Sequence, residues 1–207
     1  MCLIIHKPRD ATIPPDLLTA ALALNPDGWG LMGFDPDGQV LIERHGATDA
    51  AMVKDSVAGH AGSELVLHLR QRTRGAIGLA NAHPFKVDEG LHLMHNGTVH
   101  IAQREAAHSD TWHFVNDVLR PLHLRYPGLT SDEHFLALLE FAIKPDNKIA
   151  LLDERAKRIV ILNRWHGVEF EGLWLSNTRW IDRRLLPLST TPQPQQRSYD
   201  ANRLHFS

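Results

Sequence analysis

The sequence predicts an α+β fold in which antiparallel sheets are covered by helical layers, and three observations predict it. Strand-like runs come in neighbouring pairs joined by short turns, a connection open to antiparallel strands and closed to parallel ones. Amphipathic helical stretches fall in pairs between those runs instead of alternating with single strands, which argues against a parallel βαβ sheet. The 207 residues, 43% hydrophobic and 22% charged with seven Phe and five Trp, are enough for a sizeable core and too apolar for a disordered chain.

Cys2 to His6 is a short apolar run closed by Lys7-Pro8-Arg9, a buried strand with Cys2 at its start. Pro14-Pro15-Asp16 opens a helix over Leu17 to Leu24, with Pro tolerated in the first turn and Asn25-Pro26 stopping it. Trp29 to Phe34 and Gln39 to His45 flank Asp35-Pro36-Asp37-Gly38, a turn sequence, and form a hairpin. Thr48 to His60 reads as helix. Leu65 to Leu69 is a strand that delivers the basic loop Arg70-Gln71-Arg72-Thr73-Arg74-Gly75. Leu91 to His95 and Thr98 to Ile101 enclose Asn96-Gly97, a strong hairpin signal, because both central residues of a type I′ turn need positive φ.

Ser109-Asp110 offers N-caps for a helix over Thr111 to Leu122, and Ser131 opens another over Asp132 to Ala142. Lys148 to Leu152 and Arg158 to Leu162 bracket Asp153-Glu154-Arg155-Ala156 as a further hairpin, and Val168 to Leu175 adds strand-like pieces. From Pro187 onward Pro and Gln are dense, which reads as an arm.

Charge and composition narrow the function classes. With 22 Lys plus Arg against 24 Asp plus Glu, the broad attraction of a nucleic-acid or anionic-membrane binder is missing. No apolar run reaches the roughly 18 residues of a membrane helix, and none resembles a signal peptide, so the expectation is a cytoplasmic protein. One Cys makes neither an internal disulfide nor a Cys-rich zinc site. The fourteen His raise the question of a metal hydrolase. His92 and His95, three apart on a strand, face opposite sides, and no His-Glu-x-x-His occurs. Neither a GxxxxGK[ST] loop nor a GxGxxG after a strand is present.

Four pieces carry chemistry when taken in order: Met1-Cys2; His68 to Gly75 leading to Asn81-Ala82-His83-Pro84-Phe85; His95-Asn96-Gly97; and Ser109-Asp110-Thr111. With Asn25-Pro26-Asp27-Gly28-Trp29-Gly30, the set resembles the class II glutamine amidotransferases of the N-terminal-nucleophile hydrolase group over roughly residues 2 to 120. Gly172 to Thr178 looks like the small stand-alone members. The resemblance implies a four-layer αββα sandwich of two antiparallel sheets flanked by helices, with residues 1–186 as the glutaminase domain and 187–207 as a C-terminal arm.

The resemblance also implies roles. Cys2, freed by removal of Met1, is the nucleophile, and its own α-amine, ordinarily of pKa about 7.7–8.0, is the base. The Asn96 amide and the Gly97 N–H form the oxyanion hole. Arg70 takes the substrate α-carboxylate through a two-pronged charge-assisted bond, and Asp110 takes the α-ammonium. Thr73 and His83 line or support the substrate loop, and Asn25, Asp27 and Gly28 pack near the nucleophile. Read alone, each has a plainer meaning: Cys2 as a buried small residue, Asn96-Gly97 as a turn, the arginines as a solvated loop, Asp110 as a helix cap.

The implied reaction is hydrolysis of the glutamine side-chain amide through a Cys2 γ-glutamyl thioester, with no cofactor and no metal. Its implied partners are L-glutamine or another γ-glutamyl amide, and a separate synthase subunit to receive the ammonia. Residues 121 to 207 read as too short to hold an acceptor-binding half as well. Gln71-Arg72 depart from the small or aromatic residue common at this place in the family. A non-catalytic binding module on the same fold is the reading from a different class.

Overall fold

The computed structural model describes residues 2–72 and 75–186. Ten strands form two sheets, antiparallel at every pairing. The first has the order β3-β2-β4-β1-β10-β9, from β1 (Leu3–Lys7), β2 (Trp29–Phe34), β3 (Val40–His45), β4 (Glu64–Leu69), β9 (Val168–Phe170) and β10 (Leu173–Leu175). The second is β5-β6-β7-β8, from β5 (Phe85–Asp88), β6 (Leu91–Asn96), β7 (Lys148–Asp153) and β8 (Arg158–Leu162).

Three apolar clusters define the layers, because side chains alternate across each strand. Leu3, Ile5, Leu31, Leu65, Leu67 and Leu69 pack with Leu17, Leu18 and Ala21 of α1 (Pro15–Leu22) and Val53 and Val57 of α2 (Ala50–Gly59). The intervening residues Ile4, Met32, Val66 and Trp174 turn the other way, against Met94, Ala150 and Leu152 of the second sheet. Leu93, Ile149 and Leu151 then face a helical layer that supplies Phe114, Leu119, Leu139 and Ile143. The order is helix, sheet, sheet, helix, which is the αββα sandwich expected from the sequence.

The second helical layer begins with α3 (Asp110–His113), runs on through a π-helical segment (Phe114–Leu119) into α4 (Arg120–Arg125), and is completed by α5 (Glu133–Ile143). Its first stretch therefore outlasts the expected Leu122. Asp132, not Ser131, caps α5, accepting hydrogen bonds from the His134 and Phe135 amides at 2.9 and 3.3 Å. Asp49 caps α2 in the same way through Ala51 and Met52.

One expected hairpin is absent. Asn96 ends β6, whose neighbours are β5 and β7, Gly97 follows it, and residues 98–101 form no strand. Gly97 has φ +146°, outside the type I′ range that the Asn-Gly pair suggested. The true partner on that side is β5, joined through Glu89 and through Gly90 at φ +72°. Its alternating Lys86 and Asp88, directly after Pro84, gave a weak strand signal in the sequence. The arm from Pro187 lies outside the described residues.

Gly30, on β2, faces the space between the sheets, and a Cβ there would overlap the His83 carbonyl oxygen while lying 2.7 Å from Glu43 O. The absent side chain is what admits the His83 loop. Gly30→Ala should cost stability by about 1–3 kcal/mol or more in urea unfolding, since backbone and not a flexible side chain has to move. Gly59→Ala, with nothing within 4 Å, should be neutral or stabilise by up to about 1 kcal/mol. Equal effects would show that the contact at Gly30 is not formed.

Candidate active site

Alternation carries the inter-sheet columns of four strands out to one end of the sandwich. Cys2 continues the column of Ile4, Arg70 that of Val66 and His68, Asn96 that of Met94, and the residue after β10, Ser176, that of Trp174. Leu3 pairs with Leu69 and Leu69 with Trp29, so Cys2, Arg70 and Gly28 are the next residues along three neighbouring strands. The Arg70 N–H donates to Gly28 O at 2.9 Å, continuing that ladder.

Cys2 is half-buried, and its thiol lies 3.7 Å from Gln71 O. Burial pushes the thiol pKa up from its ordinary 9.0; the Gln71 contact and the charge of Arg70 oppose that, and Asp110 adds to it. The carbonyl of Cys2 accepts a hydrogen bond from Asn177 Nδ2 at 3.0 Å. Asn177 Oδ1 meanwhile accepts the amides of Arg179 and Trp180, which fixes the amide's direction.

Arg70 is 4% exposed, not part of a solvated loop. Its guanidinium donates to Ala76 O at 3.2 Å and reaches Asp27 O at 3.5 Å. Desolvation lowers its pKa, and Cys2 and Asp27 raise it. Asp27 anchors the following turn, its Oδ2 accepting the Arg72 amide at 2.8 Å. Thr48 Oγ1 ties the segment down, accepting from Gly28 N and donating to Asn25 O, while Asn25 Nδ2 reaches Ala21 O and Trp180 O. Asn25, Asp27 and Gly28 thus sit at the base of the Arg70 loop. Thr73 and Arg74 lie outside the described residues.

Asp110 opens α3, but the cap is Ser109, whose Oγ accepts the Trp112 amide at 3.2 Å. That leaves the Asp110 carboxylate for other work: Oδ2 accepts Val99 N at 2.7 Å, holding the loop that follows Gly97. A Cβ on Gly97 would overlap Asn147 Oδ1 and lie 2.9 Å from Asn147 Cα. Asn147 spends its amide nitrogen on Ile143 O, so its oxygen accepts, and His95 carries its proton on Nε2 at 2.9 Å; His95 Nδ1 then accepts the Thr111 hydroxyl at 2.8 Å.

His83 shows no hydrogen bond from its ring among the described residues. Both ring nitrogens are buried without a partner among the described residues. The ring instead lies against His68, with centroids 3.9 Å apart and planes tilted by 31°, and meets Phe85 edge-on at 4.8 Å. Burial drives His68 down to about 3 and His83 well below its ordinary value, and burial lowers His95 too. Neighbouring cationic groups push His83 the same way, so the cluster under the site is neutral.

Asn81, Ser176 and Asn177 fall in motifs noted in the sequence but were given no role there, and Asn147 was not noted at all. Asn81 Nδ2 donates to Ala76 O and Ala107 O while its Oδ1 accepts Ser109 N, stapling the Arg70 loop to the start of α3. Ser176 Oγ accepts Ile4 N at 2.9 Å and Asn96 Nδ2 at 2.7 Å, a buried bridge between the two sheets. A Ser-Asn pair just after an apolar strand was the available signal. Among the described residues no group of three or more His, Cys, Asp or Glu could hold a metal ion, and no helix is long and apolar enough to cross a membrane.

Residues 17–136 match the family model for glutamine amidotransferases class-II. The match spans more than half of the chain and includes Arg70, Asn96, Gly97 and Asp110, but not Cys2. No curated protein matches the sequence.

The histidine cluster fixes a pH dependence. Below about pH 6.5 the unfolded chain binds a proton on His68 that the native state refuses until about pH 3, so stability falls as pH falls across that window. At about 1.4 kcal/mol per unit, the step from pH 6.5 to pH 5 costs about 2 kcal/mol for this one side chain. Urea titrations at pH 7 and pH 5 should show that loss in wild type and a smaller one in His68→Gln. A variant as acid-sensitive as wild type would place the effect elsewhere.

Proposed function

The chain belongs to the class II glutamine amidotransferases, and on that premise we propose that it hydrolyses the glutamine side-chain amide with Cys2 as nucleophile. The observation that carries this reading is the meeting of Cys2 with groups of both signs: its thiol feels the charges of Arg70 and Asp110, and Ser176 and Asn177 link its strand to Asn96.

With Met1 removed, the Cys2 α-amine takes the thiol proton as the sulfur attacks the amide carbon. The tetrahedral oxyanion sits against the Asn96 side-chain amide and the Gly97 N–H. The amine then hands its proton to the leaving nitrogen, ammonia departs and a γ-glutamyl thioester remains. Water, deprotonated by the same amine, attacks the thioester carbonyl; glutamate leaves and the thiol is restored. Overall, glutamine and water become glutamate and ammonia. A thiol raised by burial carries little standing negative charge at neutral pH, which supports a mechanism with a base on the same residue.

Arg70 and Asp110 read the two charges of an α-amino acid, so selectivity lies at the amino-acid end of the substrate and the amide's other substituent is left to the loop of Gln71 and Arg72. That makes other γ-glutamyl amides substrates of the same chemistry, and a separate synthase subunit the recipient of ammonia where glutamine is used. Asn25, Asp27 and Gly28 support the Arg70 turn, and His83 supports it as a neutral ring packed against His68 and Phe85.

Two measurements test this reading. Wild-type protein with a mature mass lacking Met1 should release ammonia from L-glutamine, and Cys2→Ser and Asn96→Ala should fold and lose turnover, the latter by about 10²–10³-fold. Full activity in protein that retains Met1 would overturn the amine as base. Across a panel of amides, turnover should require the free α-carboxylate and α-ammonium, and Arg70→Lys should raise KM. Cleavage of simple amides at a similar rate would remove Arg70 and Asp110 from substrate recognition.

A further inference from the structure

Hydrogen-bond accounting at Ser176 singles out a residue to which the family resemblance gave no role. Three N–H groups converge on its hydroxyl oxygen: Asn96 Nδ2 at 2.7 Å, Ile4 N at 2.9 Å and, more weakly, Asn177 Nδ2 at 3.4 Å. A hydroxyl oxygen has two lone pairs and one proton to give. The three donors exceed the lone pairs, and among the described residues the hydroxyl proton finds no acceptor. Asn96 Oδ1, on the other end of the same amide, is buried without a partner among the described residues. Ser176 is fully buried and Asn96 is 3% exposed, so bulk water does not relieve either defect.

A half-turn of the Asn96 amide removes these defects together, since it exchanges oxygen and nitrogen with almost no change of shape. Ser176 then donates its proton to Asn96 Oδ1 and accepts from Ile4 and Asn177. The Asn177 amide does not turn to compensate, because its oxygen is committed to two backbone amides. After the half-turn the Asn96 nitrogen stands where the unpartnered oxygen stood, its N–H groups directed away from Ser176. A buried amide donor aimed clear of its own supports is what an oxyanion site requires.

We propose that Ser176 is a positioning residue that sets the amide of Asn96, donating to Oδ1 so that Nδ2 faces the developing oxyanion. The inference rests on the glutaminase reading for its kinetic consequence and on hydrogen bonding alone for its geometry. Ser176 acts through Asn96 and touches no substrate. Its hydroxyl also holds the Ile4 amide, so its loss has a structural component that the test must separate from the catalytic one.

Nuclear magnetic resonance reads the geometry without any turnover. The Asn96 side-chain amide signal is assigned by its loss in Asn96→Ala. If Nδ2 and Ile4 N both donated to Ser176 Oγ, their hydrogens would each lie about 2 Å from that oxygen and so within about 4 Å of each other. The expected result is no cross-relaxation between the Asn96 amide protons and the Ile4 N–H; a clear cross-peak overturns the proposal even if the protein proves to be an active glutaminase.

Kinetics read the consequence. Ser176→Ala should lower kcat by about 10–100-fold with KM for L-glutamine within about twofold, and the same change in an Asn96→Ala background should cost under about threefold more. An equal loss in both backgrounds overturns the proposal in favour of a purely structural role. Should wild type release no ammonia from any γ-glutamyl amide, the glutaminase reading fails while the cross-relaxation result still decides the orientation of Asn96.

Discussion

Everything at the site depends on the first strand being an inner one. The start of a sequence is usually among its least ordered parts, yet β1 lies between β4 and β10 and is hydrogen-bonded on both edges, with five residues in register against β4 alone. Cys2 precedes that strand by no intervening residue, and Asn177 holds its carbonyl. A sulfur so placed has little freedom to wander, and misplacement by about 1 Å from a productive geometry can cost on the order of 10²-fold in rate. The inward alternation that places Ile4 between the sheets also places Cys2, and the same period places Arg70, Asn96 and Ser176 at the same end.

The electrostatic layout follows from burial. Three imidazoles lie beneath a buried guanidinium, a concentration of basic groups that would be costly if charged. Desolvation keeps them neutral, helped at His68 and His83 by neighbouring basic groups; His68 bonds the His95 carbonyl through Nε2, and His83 makes ring contacts only among the described residues. Arg70 can then act as the cationic group at the floor of the site, with Asp110 opposite in sign. Neutral histidines also suit the scaffold: His95 donates through Nε2 and accepts through Nδ1, tying the end of β6 to α3 and to Asn147, two bonds of opposite polarity that an imidazolium could not make.

The sandwich and much of the element order were legible because they rest on local signals: short continuous apolar runs in β1, β2, β4 and β7, Pro-Asp-Gly turn chemistry before β3, and Asp or Ser ahead of helices. Asn96-Gly97 shows where local signals mislead. The pair fits a tight turn, but the need met at Gly97 is close approach to Asn147, fifty residues on, which no local pattern expresses. The acid at Asp110 was ambiguous in sequence between cap and ligand; the structure gives the cap to Ser109 and has the Asp110 carboxylate accept the Val99 amide. His83 was given only a support role by the sequence; its partners proved to be rings from β4 and β5, a tertiary contact beside the gap that Gly30 leaves.

The family match covers only part of the proposed site. Residues 17–136 supply Arg70, Asn96, Gly97 and Asp110, together with the β4 edge against which β1 pairs. They supply neither β1 nor β10, and so neither Cys2 nor the Ser176 hydroxyl that joins the first sheet to Asn96 on the second. Without β10, β1 would be an edge strand, its outer carbonyls open to water and Cys2 held from one side only. The short strand after residue 172 thus does more than complete a sheet. It closes the edge that would otherwise fray beside Cys2, and it brings a single hydroxyl to the one place where the orientation of an amide decides whether a buried donor or a buried acceptor faces the proposed oxyanion.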